Sequence, residues 1–127
     1  MLPRKKSVRS GIARAPKRDH AKHAQWIRGF ACAACKAIGQ LDAPAGDPRR
    51  KIEAAHVRTG TDGGTGIKPS SWWLIPLCSV HHAHQHQIGE TAFEKEFGID
   101  MKREALRLAR LSPDQAMKDA ARAAGVL

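Results

Sequence analysis

One cysteine and four histidines fall within nine consecutive positions: Cys78, His81, His82, His84 and His86. Lys, Glu or Gln would keep a surface solvated equally well. Imidazole and thiolate are the ligands that zinc-like metals prefer. Upstream, Cys32-Ala33-Ala34-Cys35 offers two more thiols from one turn. Cys32, Cys35, Cys78 and His81 together make four N/S ligands. That is the count of a closed, structural zinc site, with no position left for water. A thioredoxin-like redox pair is the alternative for Cys-x-x-Cys, but no βαβ pattern surrounds it. The cysteine count is three, and an odd count argues against a purely disulfide framework.

His82 and His86 are a second group. Four residues apart on a helix, they share a face and can bind one ion. His56, at the end of a strand, would sit across from them. Two protein ligands leave an ion open to water and substrate, as a catalytic metal requires. His84 falls on the opposite helical face and reads as a surface residue.

These residues need elements to hold them. Residues 52–57 read as a short strand. Residues 59–66 hold four glycines and must be a loop. Residues 72–77 form an unbroken apolar run, which predicts a buried second strand. Residues 79–88 then predict a helix stopped by Gly89. The order is strand, loop, strand, helix. A short helix over 90–97 ends at Gly98. Asp100 caps another that runs to about Leu111, with Leu106 and Leu108 or Leu111 facing inward. Ser112-Pro113-Asp114-Gln115 predicts a last helix with Ser112 at the cap.

The chain has 127 residues, room for one domain. It has no Tyr, only three Trp and three Phe, so the core is thin and a metal staple is expected. The net charge of +10 favours a polyanionic partner, most simply nucleic acid. Residues 1–28 carry nine basic residues and one acid. Residues 1–22 read as a flexible basic arm, with residues 23–127 as the domain. Arg4, Lys5, Lys6 and Arg9 in that arm, and Lys68 in the central loop, are candidate phosphate contacts. Arg58 lies two along from His56, on the same side of an extended strand, and could hold a phosphate. No apolar run is long enough to span a membrane, and no secretory signal opens the chain, so a reducing cytoplasm is the expected compartment.

The ordered motifs resemble the HNH (ββα-metal, or His-Me finger) endonucleases. They are Cys-x-x-Cys, a strand ending Ala-His-Val-Arg, the Gly-rich loop, Lys-Pro-Ser, and Pro-Leu-Cys-x-x-His-His with a final His. Within that superfamily they look most like the small phage and prophage nucleases of the Ref and YbcO type. The resemblance covers residues 30–100. It implies an α+β fold, with a hairpin-plus-helix core clasping one divalent ion, beside the structural zinc, the basic arm and the C-terminal helices. It implies DNA phosphodiester cleavage, with His56 as general base. It makes His82 and His86 the helix ligands of a catalytic Mg, Mn or Zn ion. Cys32, Cys35, Cys78 and His81 become the structural zinc ligands, His81 standing where the family usually has cysteine. DNA is the implied partner, with a recombination protein as a second. Two positions depart from the pattern. Ala55 stands where the family has a metal-binding Asp or His, and Trp73 where it has Asn. The third ligand would then come from Glu53, Asp62, a phosphate oxygen or water. Ser70 or Ser71 would take over the role of Asn. A zinc-stabilised DNA-binding module without catalysis, or a protein–protein adaptor built on one zinc site, are the competing expectations.

Overall fold

The computed structural model describes residues 17–39 and 51–127. Arg4, Lys5, Lys6 and Arg9 lie outside the described residues. The chain is a mixed α+β protein with a two-stranded sheet and helices on either side of it in sequence. In order these are α1 (Ala21–Ile27), α2 (Ala33–Ala37), β1 (Ile52–His56), a 3₁₀ turn (Ser71–Trp73), β2 (Leu74–Cys78), α3 (Ser79–Ile88), α4 (Glu90–Phe97), α5 (Met101–Leu111) and α6 (Gln115–Ala123). Among the described residues, no helix is long and apolar enough to cross a membrane.

β1 and β2 pair antiparallel, from Ile52 opposite Cys78 to His56 opposite Leu74. The flanking bonds Ser79 N to Lys51 O (2.8 Å) and Val57 N to Trp73 O (2.8 Å) fix which pairs exchange hydrogen bonds. By alternation, Ala54 and Pro76 face each other at a non-hydrogen-bonded pair, so the missing proline N–H costs the ladder nothing. β2 is buried along its whole length, as its apolar run predicts.

The second strand starts later than its composition suggests. Ser71–Trp73 is a 3₁₀ turn, closed by Trp73 N to the Ser70 carbonyl at 2.9 Å. The reason is packing. Consecutive strand residues point to opposite faces, yet Trp72 and Trp73 both enter one core cluster with Ile75, Leu77, Phe93 and Met101. The turn lets both indoles reach it.

Helix α1 falls partly in the stretch read from sequence as a flexible arm. His20 is buried, and its N–H donates to Ser71 Oγ at 2.8 Å, while the Arg18 carbonyl accepts from Ser71 N at 2.8 Å. The packed part of the chain therefore begins by Arg18, ahead of residue 23. Ile27 of α1 is fully buried against Leu74 and Leu108, with Ala54 of β1 packed beside them.

Glycines Gly89 and Gly98 end α3 and α4 with positive φ (87° and 65°). Asp100 caps α5, accepting from Arg103 N at 3.0 Å. Leu108 is buried, whereas Leu111 is 61% exposed and does not face inward. The cap of α6 is Asp114, not Ser112. Asp114 accepts from Met117 N at 3.1 Å, and the Ser112 hydroxyl instead receives Asp114 N at 3.1 Å. Met117 and Ala121 of α6 are fully buried, so this alanine-rich helix packs on the core.

Candidate metal centres

The two Cys-led pairs are built alike. Cys32 is the N-cap of α2 and its sulfur accepts from Cys35 N at 3.5 Å. Cys78 is the N-cap of α3 and its sulfur accepts from His81 N at 3.5 Å. Each first ligand thus sits where helix N–H groups favour a thiolate. The C-terminal end of β2 carries Cys78 to the loop before α2, and the four ligand atoms converge within 4.8 Å of one another.

His81 Nδ1 lies 3.5 Å from Cys32 Sγ, 3.4 Å from Cys35 Sγ and 3.4 Å from Cys78 Sγ. Tetrahedral zinc with its usual bond lengths would hold a sulfur and a nitrogen about 3.5 Å apart. The donor set and its spacing therefore fit zinc, with all four positions filled by protein. All three cysteines are buried and no disulfide joins them. Burial, with Cys32 and Cys78 alongside, pushes the Cys35 thiol up to about 12. A divalent cation at the centre reverses that preference, because it holds coordinating thiols as thiolates. Phe97 closes the outer side, its ring centroid 5.0 Å from that of His81.

The next residue on α3 turns elsewhere. His82 Nδ1 meets Glu53 Oε1 of β1 at 2.7 Å. His82 Nε2 lies 3.1 Å from His86 Nε2. With Nδ1–H given to the carboxylate, a neutral His82 keeps its Nε2 lone pair on the side of His86. Two nitrogens on one ion, each about 2.0–2.1 Å from it, stand about 2.9–3.3 Å apart, so the pair also fits a shared cation. His84 is outside both groups. Its Nε2 meets Glu96 Oε1 at 2.8 Å and its ring packs near Phe93 and Phe97.

His56 ends β1 on the strand face shared with Ala54, whereas Glu53 and Ala55 share the other. It lines a cleft of about 330 Å³ with Arg18, Asp19, Lys68 and Ser71. Burial, then the charges of Lys68 and Arg58, lower its pKa; Asp19 opposes them, and His82 adds a smaller lowering. Each of these lowerings favours the neutral ring, the form that can accept a proton. Among the described residues, no side chain hydrogen-bonds it. Lys68 is exposed in this cleft, and Arg58 is exposed beside it with Nη1 3.4 Å from the Ile67 carbonyl.

The Gly-rich loop is clamped rather than loose. Arg18 Nη2 donates to the carbonyls of Asp62 (2.9 Å) and Lys68 (2.8 Å), and Arg18 Nε donates to Ser70 Oγ (3.1 Å). Asp62 takes the Ser70 N–H at 2.9 Å and the Ser70 hydroxyl in a short bond. Burial alone would raise the Asp62 pKa, but these Ser70 bonds and Arg18 outweigh it and hold it below the usual carboxylate range. Asp62 is therefore committed to holding the loop. Glu53 stands behind His82, on the nitrogen away from His86. Ala55 is buried in the core. Arg18 and Asp19 of the cleft were not legible as site residues, since only folding brings them to His56.

The fold and donor sets define an α+β protein with a buried Cys₃His cluster that could hold a metal such as zinc. Comparison with known proteins supplies a relative but no function. No family model matches the chain, and no solved structure matches it. The chain is 30% identical over 81 residues to the uncharacterized protein YdfU of Escherichia coli strain K12. The match takes in 64% of this chain and 20% of YdfU, so the chain spans about a fifth of that relative's length.

Proposed function

We propose that this chain is a metal-dependent DNA endonuclease of the ββα-metal (HNH) kind, with zinc held structurally by Cys32, Cys35, Cys78 and His81. The observation that carries the reading is the convergence of His82 and His86 on one point, on the helix that follows a hairpin whose first strand ends in His56. His56, whose neutral form is favoured by burial and by Lys68 and Arg58, would accept a proton from the attacking water. Lys68 and Arg58 would hold the phosphodiester by charge, and the overall charge of +10 would draw the polyanion in. A divalent ion on His82 and His86 would supply Lewis-acid stabilisation of the phosphate. A phage or prophage setting, and a recombination protein as a second partner, follow from the motif resemblance.

A plasmid-nicking assay with magnesium, manganese or zinc tests this. Wild type should nick, and His56→Ala should lose roughly 100-fold or more, as expected for removal of a general base. The second reading is a zinc-stabilised DNA-binding module without catalysis. Its support is that Ala55 is buried and Asp62 is occupied by Ser70 and Arg18. It predicts salt-dependent DNA binding with wild type and His56→Ala alike at every metal.

A further inference from the structure

The carboxylate at the start of the hairpin has no role so far, yet it makes a short polar contact to the ion site. We infer that Glu53 is a positioning residue, which holds the His82 imidazole in the tautomer and orientation that let His82 and His86 share one divalent cation. The inference rests on the ion-site reading above.

The geometry is specific. Glu53 Oε1 is 2.7 Å from His82 Nδ1, and the other ring nitrogen of His82 is the one facing His86 at 3.1 Å. A carboxylate accepts only, so Nδ1 must be the protonated nitrogen. In the neutral imidazole Nε2 is then left with a lone pair directed at the point His86 also faces. An imidazole anchored through one nitrogen by a carboxylate is a better-oriented and more basic ligand through the other. Strand alternation explains why Glu53 is the residue that does this. Glu53 and Ala55 share a face of β1, and Ala55 offers no ligand atom. The strand's contribution to the ion site therefore passes through His82 instead of reaching the ion directly. The Glu53 side chain is 44% exposed, so truncating it opens no core cavity.

The test uses the full, zinc-loaded chain, titrated with Mn²⁺ and followed by the electron paramagnetic resonance signal of the free ion. Wild type should take up one Mn²⁺, and His82→Ala none. Glu53→Ala should bind roughly 10- to 100-fold more weakly, the usual cost of losing such a partner. Glu53→Gln, which keeps an acceptor oxygen, should recover part of the loss. Zinc content and thermal midpoint should match wild type in both Glu53 variants. If Glu53→Ala binds Mn²⁺ like wild type while His82→Ala does not, the positioning role is overturned and the ion site stands. If Gln is no better than Ala, orientation through the hydrogen bond is likewise overturned. If wild type takes up no Mn²⁺, or His82→Ala binds as well as wild type, the ion-site reading falls and this inference with it.

Discussion

His81 and His82 are adjacent on one helix and face different partners. His81 Nδ1 stands 3.4 Å from Cys78 Sγ, and His82 Nδ1 stands 2.7 Å from Glu53. Successive helix residues project about 100° apart, so neighbours can face a buried thiol cluster and a half-exposed strand end at once. The two imidazoles make separate sets of contacts despite the shared backbone.

That independence predicts separable zinc content. Wild type should hold one zinc per chain that dialysis does not remove. Cys78→Ala or Cys35→Ala should lose it, and with it most of the cooperative unfolding transition, because structural zinc binding is folding free energy of order 10 kcal/mol. His82→Ala should retain the zinc and unfold near the wild-type midpoint. Elemental analysis and thermal unfolding of the purified variants check both halves.

The clamped loop predicts a contrast between neighbouring glycines. A Cβ on Gly63 would lie 2.6 Å from Pro69 Cγ, in a ring that cannot swing away. At Gly64 the nearest atom is Ile67 Cδ1, 3.8 Å off. Gly63→Ala should therefore cost about 1–3 kcal/mol through overpacking. Gly64→Ala should fall within about 0.5 kcal/mol of wild type. Urea unfolding of the two variants measures the difference.

The Cys₃His group and the His82–His86 pairing were legible because their spacing is a property of the sequence itself. Two thiols in one turn, and histidines four apart after an apolar run, constrain the local backbone whatever the rest does. Helix ends at Gly89, Gly98 and Asp100 were legible for the same reason. Helix α1 was not, because its inward residues include His23, which reads as polar yet is fully buried. Ser112 resembled a cap because its hydroxyl is well placed for one. In the fold His23 Nδ1 occupies that hydroxyl at 2.8 Å, and Asp114 takes the helix. The Glu53–His82 contact and the approach of Arg18 and Asp19 to His56 join distant segments, and no local pattern announces them.

His23 gives stability a pH dependence. Burial lowers its pKa to about 4, against a smaller opposing pull from Asp114. The unfolded residue takes up its proton near pH 6.5. Between these values the unfolded chain binds more protons than the folded one, so stability rises with pH. The contribution is complete above pH 6.5, drains away as pH falls through the window, and is gone below about 4. Its size is on the order of 2 kcal/mol after solvent screening. His23→Leu should flatten the difference in urea midpoint across that window relative to wild type, while still leaving Ser112 its bond from Asp114 N.

The cleft around His56 makes a prediction of opposite sign at a different residue. Lys68 is the largest charge contribution to the lowered His56 pKa, after burial, and Arg58 is next. Removing either cation takes away repulsion on the imidazolium, so the pKa must rise toward its ordinary value. Lys68→Ala should shift the His56 titration to higher pH, and Arg58→Ala should shift it less. Lys68→Glu should shift it furthest, because it replaces repulsion with attraction. Nuclear magnetic resonance of the His56 ring proton across pH reads this directly, without any substrate. If His56 is the base, the acidic limb of the nicking rate should move the same way in each variant. The three variants must then keep the same order in both measurements. Agreement in the titration with no movement of the rate would separate a well-placed histidine from a working one.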